Sequence, residues 1–199
     1  IRGVVCGEEQ IISVSDSTFI ECSAIVCGSN NHARVESCIF KKCIHLFKNE
    51  NITLLKCEFT ECFGKIEATD IQCESCNWKD GFVHFEVPHY SSGKGSSRFS
   101  RCTFENIHFQ NSIEHLCHSN EHGYRYFSFM TDGEVDEVFS GINALIDAGH
   151  IGEISVCKFI NINVEEISFI ITCGKYTNLE KSTFENCFVQ KDILDRTVY

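Results

Sequence analysis

The chain has 199 residues, of which 43% are apolar and 23% charged, and its formal net charge is −11. This composition is too apolar for a disordered tail, and a single proline excludes the collagen-like and proline-rich classes. The acidic charge disfavours nucleic acid as a partner, and no apolar run approaches the roughly 18 residues that span a bilayer, so no membrane-spanning segment is predicted.

The first segment, residues 1–13, has the composition of an incomplete repeat unit. It begins without a methionine and lacks the charged and apolar regions of a signal peptide. We therefore expect the chain to be a processed product or a piece of a longer protein.

A short motif then recurs along the chain. It consists of a cysteine or serine, a residue that is polar in all copies except at Ile39, an aromatic residue, two further residues, and a cysteine, glycine or isoleucine. The alternation of cysteine and aromatic residue has a period of two, which is typical of a strand with both side chains on one face. The aromatic residues of the seven copies lie 21, 19, 19, 26, 55 and 25 residues apart; they are Phe19, Phe40, Phe59, Trp78, Phe104, Phe159 and Phe184.

The spacing of the motif predicts the fold. One short strand cannot bury its apolar face alone, whereas stacked copies of it can. A period of 19 to 26 residues matches about three short strands and three turns, which is one coil of a parallel β-helix. The sequence therefore predicts one all-β domain over residues 1–199, a right-handed parallel β-helix (solenoid) of about 7–9 coils with one insertion that contains a short helix.

Nine of the 14 cysteines follow the same period. In stacked coils, equivalent side chains form ladders, and we expect two ladders of buried, reduced thiols that pack as small apolar groups. Parallel side chains have poor geometry for disulfides, and the pair Cys73 and Cys76 lacks the second pair that a four-cysteine zinc site needs. One ladder contains Cys38, Cys57, Cys76, Cys102 and Cys157, ended by Ser17 and Ser182; the other contains Cys22, Cys43, Cys62 and Cys187, interrupted by Gly81, Ile107 and Ile162.

Two stretches interrupt the repeat. Residues 89–97 are rich in glycine and serine and predict a loop. The long interval between Phe104 and Phe159 predicts an insertion at roughly 109–153. Within it, apolar residues at helical spacing before Gly149 predict a short amphipathic helix over residues 135–148.

The insertion also carries a candidate metal motif. His115, Cys117, His118 and His122 lie within eight residues of one another, with Glu121 beside them. Histidine and cysteine are ligands that zinc prefers, and His118 and His122 are four residues apart. The alternative interpretation is a polar loop without metal.

Outward-facing carboxylates are the candidates for carbohydrate chemistry, which requires an acid and a base on neighbouring coils. One repeat position alternates between acidic, basic and amide residues, which favours an ordinary solvated face. We therefore predict no catalytic residue and no cofactor. The carboxylates considered are Glu21, Glu58, Glu61, Asp80, Glu105 and Glu185.

On these repeats the chain resembles right-handed parallel β-helix proteins, and most of all surface adhesins of the polymorphic-membrane-protein type. The resemblance covers about residues 14–108 and 154–190. That family has asparagine three residues after the phenylalanine, where this chain has Cys22, Cys43, Cys62 and Cys187, and its GGA motif is missing here.

The resemblance implies a non-enzymatic module, a rigid rod that contacts other protein chains or surface glycans as an adhesin or an assembly scaffold. The alternatives are a carbohydrate-active lyase or glycoside hydrolase, and an intracellular structural lattice component with reduced thiols. An extracellular or cell-surface location is favoured over an intracellular one.

Overall fold

The computed structural model describes residues 5–6, 11–27, 32–87, 95–109, 142, 144–165, 169–173 and 176–190. Twenty strands and no helix occur among these residues. The strands are β1 (Val5–Cys6), β2 (Ile12–Ser15), β3 (Thr18–Ile20), β4 (Ser23–Cys27), β5 (His32–Glu36), β6 (Ile39–Lys41), β7 (Ile44–Leu55), β8 (Glu58–Thr60), β9 (Phe63–Glu74), β10 (Asn77–Glu86), β11 (Ser96–Ser100), β12 (Thr103–Phe109), β13 (Ala144–Asp147), β14 (Ile151–Ser155), β15 (Lys158–Ile160), β16 (Asn163–Glu165), β17 (Phe169–Thr172), β18 (Tyr176–Glu180), β19 (Thr183–Glu185) and β20 (Phe188–Gln190).

All strand pairings in the described part are parallel, and each strand pairs with its equivalent in the next copy of the motif. The aromatic residue of each copy lies opposite that of the next, as Phe19 does opposite Phe40 and Trp78 opposite Phe104. We call the seven copies, from Phe19 to Phe184, repeats 1 to 7. Their short strands pair in the order β3, β6, β8, β10, β12, β15 and β19. The prediction of an all-β fold is confirmed for the residues that the structure describes.

Each repeat turns at two corner residues that lie five positions apart. Their φ angles fall between 48° and 57°, in the left-handed region, although none of them is glycine. The amide of each first-corner residue in repeats 1 to 6 donates to a carbonyl of the next repeat, as Lys56 does to Glu74 at 2.9 Å. The corner residues are Asp16, Glu21, Ser37, Lys42, Lys56, Glu61, Ser75, Asp80, Arg101, Asn106, Val156, Asn161, Lys181 and Asn186.

Val156 is the corner residue least suited to its conformation, because a β-branched side chain at a φ of 57° is strained. We expect Val156→Gly to stabilise the protein by about 1 kcal/mol, since the relieved strain exceeds the entropy cost of glycine. Ile151→Gly is the matched control, because Ile151 is similarly exposed but lies in a strand; it should destabilise by about 1 kcal/mol. Urea unfolding measures the change in the free energy of unfolding for both variants. Changes of the same sign in the two variants would contradict the prediction.

The aromatic residues of the seven repeats form one stacked column inside the sheet. Neighbouring ring centroids lie 4.7–5.1 Å apart with interplanar angles of 3–6°. Phe47, Phe85 and Phe99 meet this column edge-on or pack beside it. The column therefore supplies the centre of a continuous apolar core.

Strand β10 and its neighbour β13 are buried on both faces. Val83, Phe85 and Ile146 face the core, yet the alternating residues Phe82, His84 and Leu145 are also less than 5% exposed. An apolar run on both faces is expected of a parallel strand that is covered on each side.

The predicted helix over residues 135–148 is wrong in its described part. Residues 144–147 form β13, which pairs with β10 and β17. Ala144, Leu145 and Ile146 are all buried, so the apolar cluster comes from a covered strand rather than from a helix face. Residues 135–141 and 143, like residues 89–94 of the predicted loop, lie outside the described residues.

Candidate functional site

The structure places the predicted thiols in two columns, each directly after a line of corner residues. We call the line of Cys38, Cys57, Cys76, Cys102 and Cys157, with Ser17 and Ser182 at its ends, the first thiol column. Its five cysteines are buried and unpaired by disulfides. In four steps of the column, the residue after each cysteine donates its amide to the carbonyl of the preceding repeat's cysteine at 2.9 Å, as Asn77 does to Cys57. Neighbouring cysteines therefore lie on hydrogen-bonded strands.

The thiols and hydroxyls of the columns contact backbone carbonyls. Each sulfur in the first column lies 3.3–3.5 Å from the carbonyl oxygen two residues earlier, across the corner. Ser17 and Ser182 make the same bond through their hydroxyls, at 2.8 and 3.3 Å. A small side chain with one polar hydrogen is what this position requires, which explains why serine ends a line of cysteines.

The second thiol column contains Cys22, Cys43, Cys62 and Cys187. Cys43 and Cys62 are buried, and each thiol again donates to the carbonyl two residues earlier. Gly81 occupies this position in repeat 4, where an added Cβ would lie 2.2 Å from the Cys62 carbonyl oxygen. The backbone here leaves no room for the cysteine that the repeat predicts.

Burial makes three of the thiols poor nucleophiles at neutral pH. It raises the pKa of Cys38, Cys73 and Cys187 above the ordinary value, because a thiolate is poorly solvated there. A reactive cysteine has the opposite shift and partial exposure, so these three side chains fit a structural role.

The second line of corner residues forms a polar column at the surface. Asn106 Nδ2 donates to Asp80 Oδ1 at 2.8 Å, Asn161 to Asn106 at 2.9 Å, and Asn186 to Asn161 at 3.1 Å. Asparagine tolerates the left-handed region, so the same residues satisfy both the backbone and the column.

The six carboxylates considered for carbohydrate chemistry are spread over five repeats, and three of them have side-chain partners. Glu61 lies 4.0 Å from Lys42, Glu105 lies 3.3 Å from Lys79, and Asp80 accepts from Asn106. Glu21, Glu58 and Glu185 are exposed. These contacts are those of a solvated face with charges paired between repeats.

A cluster on the outer face of β9 and β10 was missed by the sequence reasoning. Lys65 pairs with Glu86, and with Glu67 at 3.4 Å. His84 is 4% exposed; its Nε2 lies 3.6 Å from Glu86, and its Nδ1 lies 2.9 Å from the Ala144 carbonyl oxygen. The imidazole thus connects β10 to β13. Alignment of the repeats at a period of 19 would have placed Lys65 and His84 side by side.

This cluster makes the stability of the fold depend on pH in the acidic range. The neighbouring His84 imidazole and Lys65 ammonium groups lower the pKa of Glu86 to about 2 from 4.5. The stabilisation is complete above pH 4.5 and is lost as the pH falls toward 2.

We expect Glu86→Gln to reduce the free energy of unfolding at pH 7 by about 1.5 kcal/mol. This is the lower end of the range for hydrogen bonds to charged groups, because Glu86 is partly exposed. Its unfolding free energy should fall less than that of wild type between pH 5 and pH 2, and parallel profiles would contradict the assignment.

The candidate metal residues His115, Cys117, His118 and His122, with Glu121, lie outside the described residues. Within the described ranges, no three histidine, cysteine or acidic side chains converge in a way that could hold one ion. No helix in that part of the chain is long and apolar enough to cross a membrane.

Comparisons with protein-family models, curated proteins and solved structures give no match for this chain. The geometry described above is therefore the basis for the functional interpretation.

Proposed function

We propose that the chain is a right-handed parallel β-helix that acts as a rigid, non-enzymatic module and contacts other protein chains or surface glycans along its sides. One observation carries the proposal: seven short strands, from β3 to β19, pair in one parallel register over the seven repeats. A stack of this kind resists bending, because every repeat is hydrogen-bonded to the next and the aromatic column passes through all of them.

The pattern of surface pairing supports a lateral binding role. Charges at equivalent positions of neighbouring repeats are matched, as in Lys79 with Glu105 at 3.3 Å and Arg98 with Glu153 at 2.7 Å. Seven repeats make six steps of about 4.8 Å, so the stack is about 29 Å long. A flat side of this length can present a fixed array of polar groups to a protein or to an extended glycan.

Two experiments test the proposal. Far-ultraviolet circular dichroism should show a spectrum dominated by β structure; a spectrum dominated by helix would contradict the β-helix. A glycan array combined with hydrolase and lyase assays should show binding without turnover. Turnover by the folded protein that is lost on unfolding would replace the module with the carbohydrate-active enzyme.

The redox state of the thiols separates the two proposed locations. Titration of the denatured protein under anaerobic conditions should find all 14 cysteines reduced if the chain works inside the cell. A count lower than this by an even number would mean that disulfides have formed, and it would favour the secreted, adhesin-like role.

A further inference from the structure

The first thiol column brings five thiols onto five consecutive repeats, a density that backbone capping alone does not require. Ser17 and Ser182 make the same carbonyl bonds without sulfur. Because neighbouring cysteines lie on hydrogen-bonded parallel strands, their sulfur atoms follow one another at the strand separation of about 4.8 Å. The column is fully buried, with every cysteine at most 1% exposed.

A backbone amide also lies beside a sulfur atom in the middle of the column. The amide of Cys57 donates to Cys76 Sγ at 3.5 Å. A thiolate at Cys76 would therefore accept a hydrogen bond from a backbone amide.

The spacing of the sulfur atoms suits one class of metal complex. A metal–thiolate bond is about 2.3 Å long, so two collinear bonds span about 4.6 Å, close to the separation of neighbouring strands. Parallel side chains at this distance are poorly placed for a disulfide, whose sulfur atoms must approach to about 2.05 Å. A linear site needs only two ligands, so it is compatible with the finding that the described residues hold no group of three.

We propose that adjacent thiols of the first column, centred on Cys57, Cys76 and Cys102, bind a monovalent thiophilic cation of the Cu(I) or Ag(I) class in linear two-sulfur coordination. Soft thiolate ligands select Cu(I) over the hard cations. Binding breaks two S–H bonds, forms two S–metal bonds and releases two protons to solvent, while the oxidation state of the ion is unchanged. The complex carries one negative charge, which the Cys57 amide beside Cys76 Sγ partly compensates.

Two double variants with the same number of thiols test the proposal. Cys57→Ser with Cys102→Ser leaves Cys38, Cys76 and Cys157, none of which is adjacent to another in the column. Cys38→Ser with Cys157→Ser leaves Cys57, Cys76 and Cys102 on three consecutive repeats, whose strands are hydrogen-bonded to one another. Serine occupies this position in repeats 1 and 7, so both variants should keep the fold, and the emission of Trp78 checks this.

Each protein is titrated anaerobically with Ag(I), and with Cu(I) in competition with a chromophoric Cu(I) chelator. Wild type and the Cys38/Cys157 variant should bind the ion, and X-ray absorption should find two sulfur ligands. The Cys57/Cys102 variant should bind at least about 10-fold more weakly, since even loss of an outer-sphere partner costs that much. Equal affinities of the two folded variants, or a coordination number other than two, would overturn the proposal. If either variant fails to fold, the coordination number in wild type decides.

Discussion

Phe104→Ala should reduce the free energy of unfolding by about 3–5 kcal/mol, the cost of truncating a fully buried aromatic residue. The Phe104 ring is 0% exposed and stacks between Trp78 at 4.9 Å and Phe159 at 4.8 Å. It also meets Phe85 edge-on at 6.0 Å. The substitution therefore leaves a cavity that breaks the aromatic column between repeats 4 and 6. Urea unfolding followed by the fluorescence of Trp78, the single tryptophan, measures the loss.

Phe184→Ala is the matched control, because Phe184 belongs to the same column but is 44% exposed and stacks on Phe159 alone among the rings described for it. We expect a cost of about 1–1.5 kcal/mol. The central substitution should also lower the dependence of stability on urea concentration, since it separates the stack into two less cooperative parts. Equal losses at the two positions would show that the column does not hold the repeats together.

Lys56→Pro should cost about 3 kcal/mol or more, although Lys56 is exposed. Lys56 has a φ of 52°, and proline is fixed near −65°. Proline also removes the amide that donates to the Glu74 carbonyl at 2.9 Å. The corner of repeat 3 would have to open, and the hydrogen-bonded contact with repeat 4 would be lost with it.

Lys56→Gly separates the backbone effect from the side chain. Glycine adopts a positive φ without strain and keeps the amide, so this variant should be as stable as wild type or slightly more stable. Thermal unfolding of the three proteins gives the comparison. A proline variant within about 0.5 kcal/mol of wild type would mean that the left-handed corners are not part of the folded protein.

The aromatic and thiol columns could be predicted from sequence because both depend on one variable, the length of the repeat. Once Phe40, Phe59 and Trp78 are aligned, the residues two before them align as well, and the period of two places both on the buried face. The corners could not be predicted in this way. Their residue types range from Asn161 to Lys56 and Val156, and no glycine marks the left-handed conformation.

The error at residues 144–147 has a different cause. The apolar residues Ile142, Leu145 and Ile146 have the spacing of a helix face, but a strand that is covered on both sides has the same pattern of apolar residues. Neighbouring strands decide between the two, because β10 and β17 pair with β13 on either side. The residues that identify β13 as a strand therefore lie about 60 positions before it and about 25 positions after it in the sequence.

The cluster around His84 was missed for a related reason. Its members alternate along β9 and β10 like ordinary surface residues, and nothing in a local window distinguishes them. The burial of His84 and its contact with the Ala144 carbonyl depend on the return of the chain at β13. A long-range contact of this kind leaves no local signal in the sequence.

The stacking of the repeats is the claim on which the other conclusions depend, and nuclear Overhauser effects from the indole of Trp78 test it most directly. With ring centroids 5.1 Å from Phe59 and 4.9 Å from Phe104, the indole protons should show cross-peaks to both rings, which belong to residues 19 positions before and 26 positions after Trp78. An indole that shows cross-peaks only to residues near it in sequence would contradict the stacked register.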